Sequence, residues 1–190
     1  MNLSFNIQSK KTLRDCAKNL RNNLDMADIS SKILQNIKKQ DFYTEAKHIL
    51  SFYPFNSEVD LKELYKDEYK NWYLPRVEMT HKSLVIHGYK YGNSLVKNKW
   101  GVFEPCCDLD EADIKHFDLI IIPALMADKN GHRLGYGAGF YDRFIPGLNK
   151  NCLKIVPVPE ELFVDSLPFD HWDIPVNIVV TEKNIYRLTN

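Results

Sequence analysis

Neither sign of charge is in excess in this chain: 25 Lys and Arg offset 25 Asp and Glu, for a formal net charge of zero. No global field therefore draws nucleic acid or an anionic membrane to the surface, and any anion site has to be built locally. Glycine and proline are sparse, at 8 and 9 residues. Together with 44% hydrophobic residues this excludes collagen-like and low-complexity chains and suits a folded core. The longest apolar stretch, residues 119–127, is interrupted by Pro123 and falls far short of the roughly 20 residues that span a bilayer. The four cysteines make no disulfide framework, because Cys106 and Cys107 are adjacent, Cys16 falls in a helical pattern and Cys152 stands alone. Residues 1–18 lack the charged-then-apolar order of a signal peptide. The expectation is a soluble, cytoplasmic protein with reduced thiols.

Familiar catalytic signatures are missing as well. The histidines form no HxxxH or HExxH, the cysteines no CxxC, and there is no GxGxxG, GxxxxGK[ST] or GxSxG. Zinc chemistry, the dinucleotide fingerprint, the Walker loop and the nucleophile elbow are thereby excluded.

The length suits one domain over residues 1–190. Two helical segments occupy the first 40 residues, separated near residues 25–28. Leu13, Ala17, Leu20 and Leu24 recur at helical spacing in the first; Ile29, Ile33 and Ile37 do so in the second, which Asp28 or Ser30 could cap. From Lys47 onward, β-type runs at 48–53, 83–89, 117–123, 153–158 and 176–181 alternate with helical patterns at 57–71 and after Gly139. The near-continuous apolar run at 117–123 reads as a central strand covered on both faces, so a parallel sheet in an α/β fold is expected. Tyr65, Tyr69, Trp72 and Tyr73 lie close to helical spacing and read as core packing, not as a base-stacking platform.

The residues richest in chemistry follow that apolar run: Arg133-Leu134-Gly135-Tyr136-Gly137-Ala138-Gly139-Phe140-Tyr141-Asp142-Arg143. Glycines at alternate positions let several backbone N–H groups approach a ligand just before a helix start, an anion cradle flanked by two arginines. A tight chain reversal would use the same glycines. In the first helix Lys10, Arg14, Lys18 and Arg21 share one arc of roughly 80° beside the apolar face. That arc puts cations at the lip of a buried interface, or is a solvated face of snorkelling side chains.

Combined with Tyr53-x-x-x-x-Glu58, Trp100 and Glu104-Pro105, these segments resemble the 5-formyltetrahydrofolate cyclo-ligase (methenyltetrahydrofolate synthetase) family over nearly the whole chain. The resemblance implies a three-layer α/β/α fold of the kind shared with sugar-phosphate isomerases and CoA transferases. It also implies conversion of 5-formyltetrahydrofolate to 5,10-methenyltetrahydrofolate with ATP and Mg²⁺, by phosphorylation of the formyl oxygen and ring closure by nitrogen 10. Lys10, Arg14 and Lys18 match the family's ATP helix, and Arg133 through Tyr141 its phosphate loop, with Arg14, Arg133 and Tyr141 the implied catalytic contacts. Tyr53, Glu58, Trp100 and Tyr136 match folate contacts, and Asp142 matches a Mg²⁺ ligand. Each has a plainer role open to it: Asp142 as a helix-start residue, Glu58 as first-turn stabiliser behind Asn56 or Ser57, Trp100 as core or lid. The chain departs from the family at Asn177, where many relatives carry a second Asp ligand, and at Phe140, where Tyr is common. Asp173 is the other candidate for the lost ligand. The implied protein is a monomer acting on small molecules, without nucleic acid or membrane; a folate- or nucleotide-binding protein with impaired catalysis is the alternative that Asn177 keeps open.

Overall fold

The computed structural model describes residues 9–188; the first eight residues, included in the helical expectation for the N-terminus, lie outside that range. Helix α1 (Lys10–Arg21) starts where the Ser9 side chain accepts the Thr12 amide, and carries Lys18 and Arg21 in its last turn, where cations oppose the negative end of the helix dipole. Helix α2 (Met26–Lys38) is capped by Asp25, which accepts the Asp28 amide, and buries Ile29, Ile33 and Ile37. Asp28, one of the two expected caps, instead pairs with Lys32 one turn on. A short α3 (Asp41–Thr44) leads into the sheet.

Strands β1 (His48–Leu50), β2 (Asn71–Glu78), β3 (Ser83–Tyr89), β6 (Leu119–Ile121), β9 (Leu153–Pro157), β11 (Ile178–Val180) and β12 (Ile185–Arg187) form a seven-stranded sheet in the order β12-β11-β9-β6-β1-β2-β3. Four neighbouring pairs are parallel, and the outer pairs β2/β3 and β11/β12 are antiparallel. Small ladders join β4 (Val96–Lys97) to β5 (Phe103–Glu104), and β7 (Met126–Asp128) to both β8 (Arg133–Leu134) and β10 (Phe163–Val164).

Alternation along the central strands supplies both faces. Ile49, Leu119, Ile121, Ile155, Ile178 and Val180 meet the α2 isoleucines, whereas Leu50, Ile120, Ile122, Val156 and Val179 meet Phe144, Ile145 and Leu148 at and after helix α4 (Phe140–Phe144). The expected three-layer α/β arrangement with a mostly parallel sheet is present. A third cluster seats Leu13 and Ala17 of α1 against Leu125, Met126 and Leu134, which carries the cationic arc of α1 to the glycine segment.

Two local expectations fail. Within residues 57–71 the helix is confined to the 3₁₀ segment Lys62–Lys66, which of the aromatic set holds only Tyr65, and Asn71 already starts β2. Trp72 and Tyr73 are successive residues of β2 that face opposite cores. Tyr65 meets Trp72 edge-on, with ring centroids 5.1 Å apart, and Tyr69 is exposed. Aromatics at 65, 69 and 72 or 73 imitate a helix period, although Trp72 and Tyr73 belong to a strand that contains Pro75.

Candidate functional site

A cleft of about 590 Å³ opens where the chain leaves β6, lined by Pro123, by Lys10 and Arg14 of α1, by residues 133–143 and by the Asp170–Asp173 turn. The helix and the glycine loop, more than 100 residues apart in sequence, thus face each other. Arg14 Nε donates to the Gly135 carbonyl at 2.9 Å, and the Arg14 guanidinium carbon lies 3.1 Å from where a Cβ on Gly137 would stand. Gly137 has φ +102°, a conformation L side chains rarely adopt. Gly139, at φ +67°, precedes α4, and a Cβ there would fall 2.8 Å from Arg143 Nη1. Arg143 itself is tied to the carbonyls of Lys82 and Ala138. Because α4 is only five residues long, the cradle consists of the loop's N–H groups and the arginines more than of a helix dipole. Gly137→Ala is expected to destabilise the fold by roughly 1–3 kcal/mol of backbone strain, with displacement of Arg14 from the loop; a melting curve beside the parent checks this.

The other cations behave differently from one another. Lys10 Nζ bridges Asp170 and Asp173; burial opposes its charge, but the hydrogen bonds to the two carboxylates prevail and raise its pKa. Asp173 is held below its ordinary value: desolvation works upward, but the bond from Lys10, the Asp170 amide and the charges of Lys10 and Arg133 outweigh it. Arg133, with 5% of its side chain exposed, pairs with Asp142 at 2.7 Å and also donates to the Ile174 carbonyl. Asp142 Oδ1 accepts both Arg133 and the Ile174 amide, leaving Oδ2 for a cation. Lys18 is exposed and does not line the cleft; three helical turns of cations outreach the ligand wall.

Asn177 is also outside the cleft. Its side-chain Oδ1 accepts the Lys154 amide while its backbone N–H donates to the Lys154 carbonyl, so the side chain is engaged at the join between β9 and β11, outside the cleft. Asp173, the alternative, does line the cleft. Asp142 and Asp173 together offer hard carboxylate oxygens of the type Mg²⁺ takes alongside phosphate oxygens, so the donor set fits that ion.

Around Glu58 a second region forms. Its carboxylate accepts the Phe55 amide at 2.9 Å, and its pKa is pushed up to about 7, chiefly by burial and against the opposing pull of Phe55, Tyr136 and Arg21. Tyr136 joins this region to the glycine loop; burial and then the Glu58 charge raise its pKa. Tyr141 is likewise raised, by burial first and then by Glu58. Tyr53 stacks edge-on with Phe103 and lines a separate hollow of about 680 Å³ beside α2. Trp100 is exposed on the β4–β5 loop with the Lys99 ammonium 4.7 Å over its ring, and lines neither hollow. Glu104 is a structural staple, accepting Val77 N and Asn98 Nδ2 to fasten that loop to β2. Sequence reasoning missed Asp170 and Trp172, whose signal was the acid–aromatic–acid run just ahead of β11.

A cleft of glycine N–H groups, cations and paired carboxylates beside the carboxyl end of a parallel strand defines an α/β protein of the ligand-binding type. Residues 6–182 match the model of the 5-formyltetrahydrofolate cyclo-ligase family. The chain is 27% identical to the 5-formyltetrahydrofolate cyclo-ligase of Haemophilus influenzae, over 90% of this chain and 97% of that one. To the Escherichia coli K12 protein of the same name it is 32% identical, over 75% and 81% of the two chains. The NMR structure of Aquifex aeolicus 5,10-methenyltetrahydrofolate synthetase superposes with a TM-score of 0.82 at 30% identity, covering 95% of this chain and 93% of that one. The chain belongs to the 5-formyltetrahydrofolate cyclo-ligase family and is a ligase.

Proposed function

We propose that the protein converts 5-formyltetrahydrofolate and ATP to 5,10-methenyltetrahydrofolate, ADP and phosphate, as a cytoplasmic monomer. The observation that carries this reading is the contact of Arg14 with Gly135 and Gly137, which joins α1 to the glycine loop as the two walls of one anion cleft. The formyl group on nitrogen 5 is amide-like, and its oxygen is a poor leaving group. Transfer of the terminal phosphoryl group of ATP to that oxygen makes it a good one. Nitrogen 10 then attacks the formyl carbon and loses its proton, and the C–O bond breaks to release phosphate. No protein nucleophile is needed, so the work of the chain is alignment and charge neutralisation. Arg14 and the loop N–H groups hold the phosphates; Arg133 fixes Asp142. Asp142 and Asp173 would hold Mg²⁺, which neutralises phosphate charge when bound.

Glu58 and Tyr136 form the folate side of this reading, with the carboxylate accepting N–H donors of the amino-pyrimidine edge. Only the ionised form accepts both, so kcat/KM for the folate should rise with pH through about 7, and Glu58→Gln should flatten the profile while leaving KM for ATP within about twofold. The linkage to stability runs the other way. A carboxyl group whose folded pKa lies near 7 instead of the ordinary 4.5 stabilises the fold fully below 4.5 and loses that contribution as pH rises through 7. Glu58→Gln should therefore melt higher than the parent at pH 8 but not at pH 4.5.

The test is an absorbance assay for the methenyl product with 5-formyltetrahydrofolate, ATP and Mg²⁺, each omitted in turn. Product formed only with folate and ATP together supports the proposal; product without ATP, or ligand binding with no product, overturns it.

A further inference from the structure

Asp128 ends β7 with no exposed surface. Its Oδ1 accepts the amides of Asn130 and His132, at 2.9 and 2.8 Å, which closes the β7–β8 turn. Closing that turn needs a single side-chain oxygen, and an asparagine would supply it. The second oxygen is spent elsewhere. Oδ2 accepts the Leu167 amide, 39 residues away in sequence, at 2.8 Å, and lies 3.3 Å from His132 Nδ1. A buried carboxylate needs donors of this kind to offset its lost hydration, and here they come from two separate segments.

The imidazole of His132 stacks on Phe169, with ring centroids 4.0 Å apart and planes 3° from parallel. Phe169 is 60% exposed and belongs to none of the buried clusters, so the stack, not the core, holds its ring. The cleft turn follows directly: the Asp173 carboxylate accepts the Asp170 amide, and the Asp173 amide donates to the Asp170 carbonyl. At the far end of the same segment the Val176 amide donates to the Gly131 carbonyl, and Arg133 to that of Ile174. The β7–β8 hairpin therefore grips this segment both before and after its acids. Because Arg133 also pairs with Asp142, one hairpin carries both Asp142 and Asp173.

We propose that Asp128, with the His132–Phe169 stack beside it, is a positioning residue for the cleft, holding the Asp170–Asp173 turn at the spacing from Asp142 at which both carboxylates take the cation of a metal–nucleotide complex. This rests on the functional reading above and extends it to a buried group that lines no part of the cleft. Groups that orient a metal's ligands without touching the metal typically change its affinity about 10–100-fold.

Amide hydrogen exchange followed by NMR reports the turn without any ligand. In the parent the Leu167, Asp170 and Asp173 amides should be protected. Asp128→Asn keeps an oxygen for the hairpin but turns an NH₂ group toward the Leu167 N–H, so all three amides should exchange about tenfold faster or more. Phe169→Ala removes only an exposed ring and should speed Asp170 and Asp173 likewise, with the melting temperature within about 2 °C of the parent; Phe169→Tyr should restore protection. Mn²⁺ binding to the ADP complex, followed by the electron paramagnetic resonance of the free ion, should weaken about tenfold in Asp128→Asn and in Phe169→Ala. The Mg²⁺ concentration for half-maximal rate should rise in parallel, while KM for folate stays within about threefold. Unchanged Asp170 and Asp173 exchange in either folded variant overturns the proposal. So does faster exchange with Mn²⁺ affinity intact, which makes Asp128 a brace of the fold alone. Should Asp128→Asn not fold, the Phe169 variants decide by the same two measurements. No methenyl product from the parent, with exchange and Mn²⁺ binding as described, overturns the functional reading alone.

Discussion

Arg14→Ala is expected to lower kcat/KM for ATP by about 10²–10³ while leaving KM for 5-formyltetrahydrofolate within about threefold. The side chain leaves the second turn of α1 and lies flat on the glycine loop, with Nε on the Gly135 carbonyl and the guanidinium against Gly137. Truncation removes the cation proposed to meet the phosphates and also the contact that ties the loop to the helix. Charge-assisted hydrogen bonds are worth roughly 1.5–3 kcal/mol each, and two of them correspond to about two to four decades in rate. Lys10 recovers little, because its ammonium is committed to Asp170 and Asp173. Half-buried Arg14 carries no part of the hydrophobic clusters, so the melting temperature should barely change. Initial rates with each substrate varied, beside a melting curve, separate these effects; a variant that used ATP as well as the parent would remove Arg14 from the phosphate site.

The sheet was legible in the sequence wherever burial is two-sided. Residues 119–122 are wholly buried, and an apolar run bounded by Pro123 has few alternatives to a central strand. Strand β2 was hidden because Trp72, Tyr73, Leu74 and Pro75 neither alternate in polarity nor avoid proline. Its assignment depends on partners on both sides, β1 and β3, that only the tertiary fold supplies. The glycine loop and its facing helix were readable from residue types, since alternate glycines and a cationic arc each carry a local physical signature. Asn177 was misjudged for the opposite reason. An amide next to a strand reads equally as a ligand or as a backbone mimic, and only the register of β11 on β9 shows it occupied by Lys154. Arg21 is the same lesson from the other side. In sequence it is one of four cations on one arc of a helix; in the fold it alone among them is sealed beneath the β6–β7 turn.

Arg133→Ala should be the most destabilising of the cleft substitutions, by about 3 kcal/mol, the lower end expected when one member of a buried ion pair is removed; Asp142 keeps 22% exposure and so recovers some hydration. For a domain of this size that is a fall in melting temperature of roughly 6–12 °C. The variant leaves the Ile174 carbonyl and the Asp142 carboxylate without their donor. Asp142→Asn should cost less, because an amide oxygen can still accept from Arg133 and the Ile174 amide, but it removes the charge proposed to hold Mg²⁺ and should raise the Mg²⁺ concentration needed for half-maximal rate about tenfold or more. The double variant separates the two roles. If Arg133 acts on the fold through Asp142, neutralising the orphaned carboxylate should return part of the lost stability, so the two single costs will sum to more than the double cost. Activity should show no such recovery, since neither partner's charge is restored. Additive melting shifts would mean that the pair seen at 2.7 Å contributes nothing to stability, and that Arg133 serves the fold through Ile174 alone.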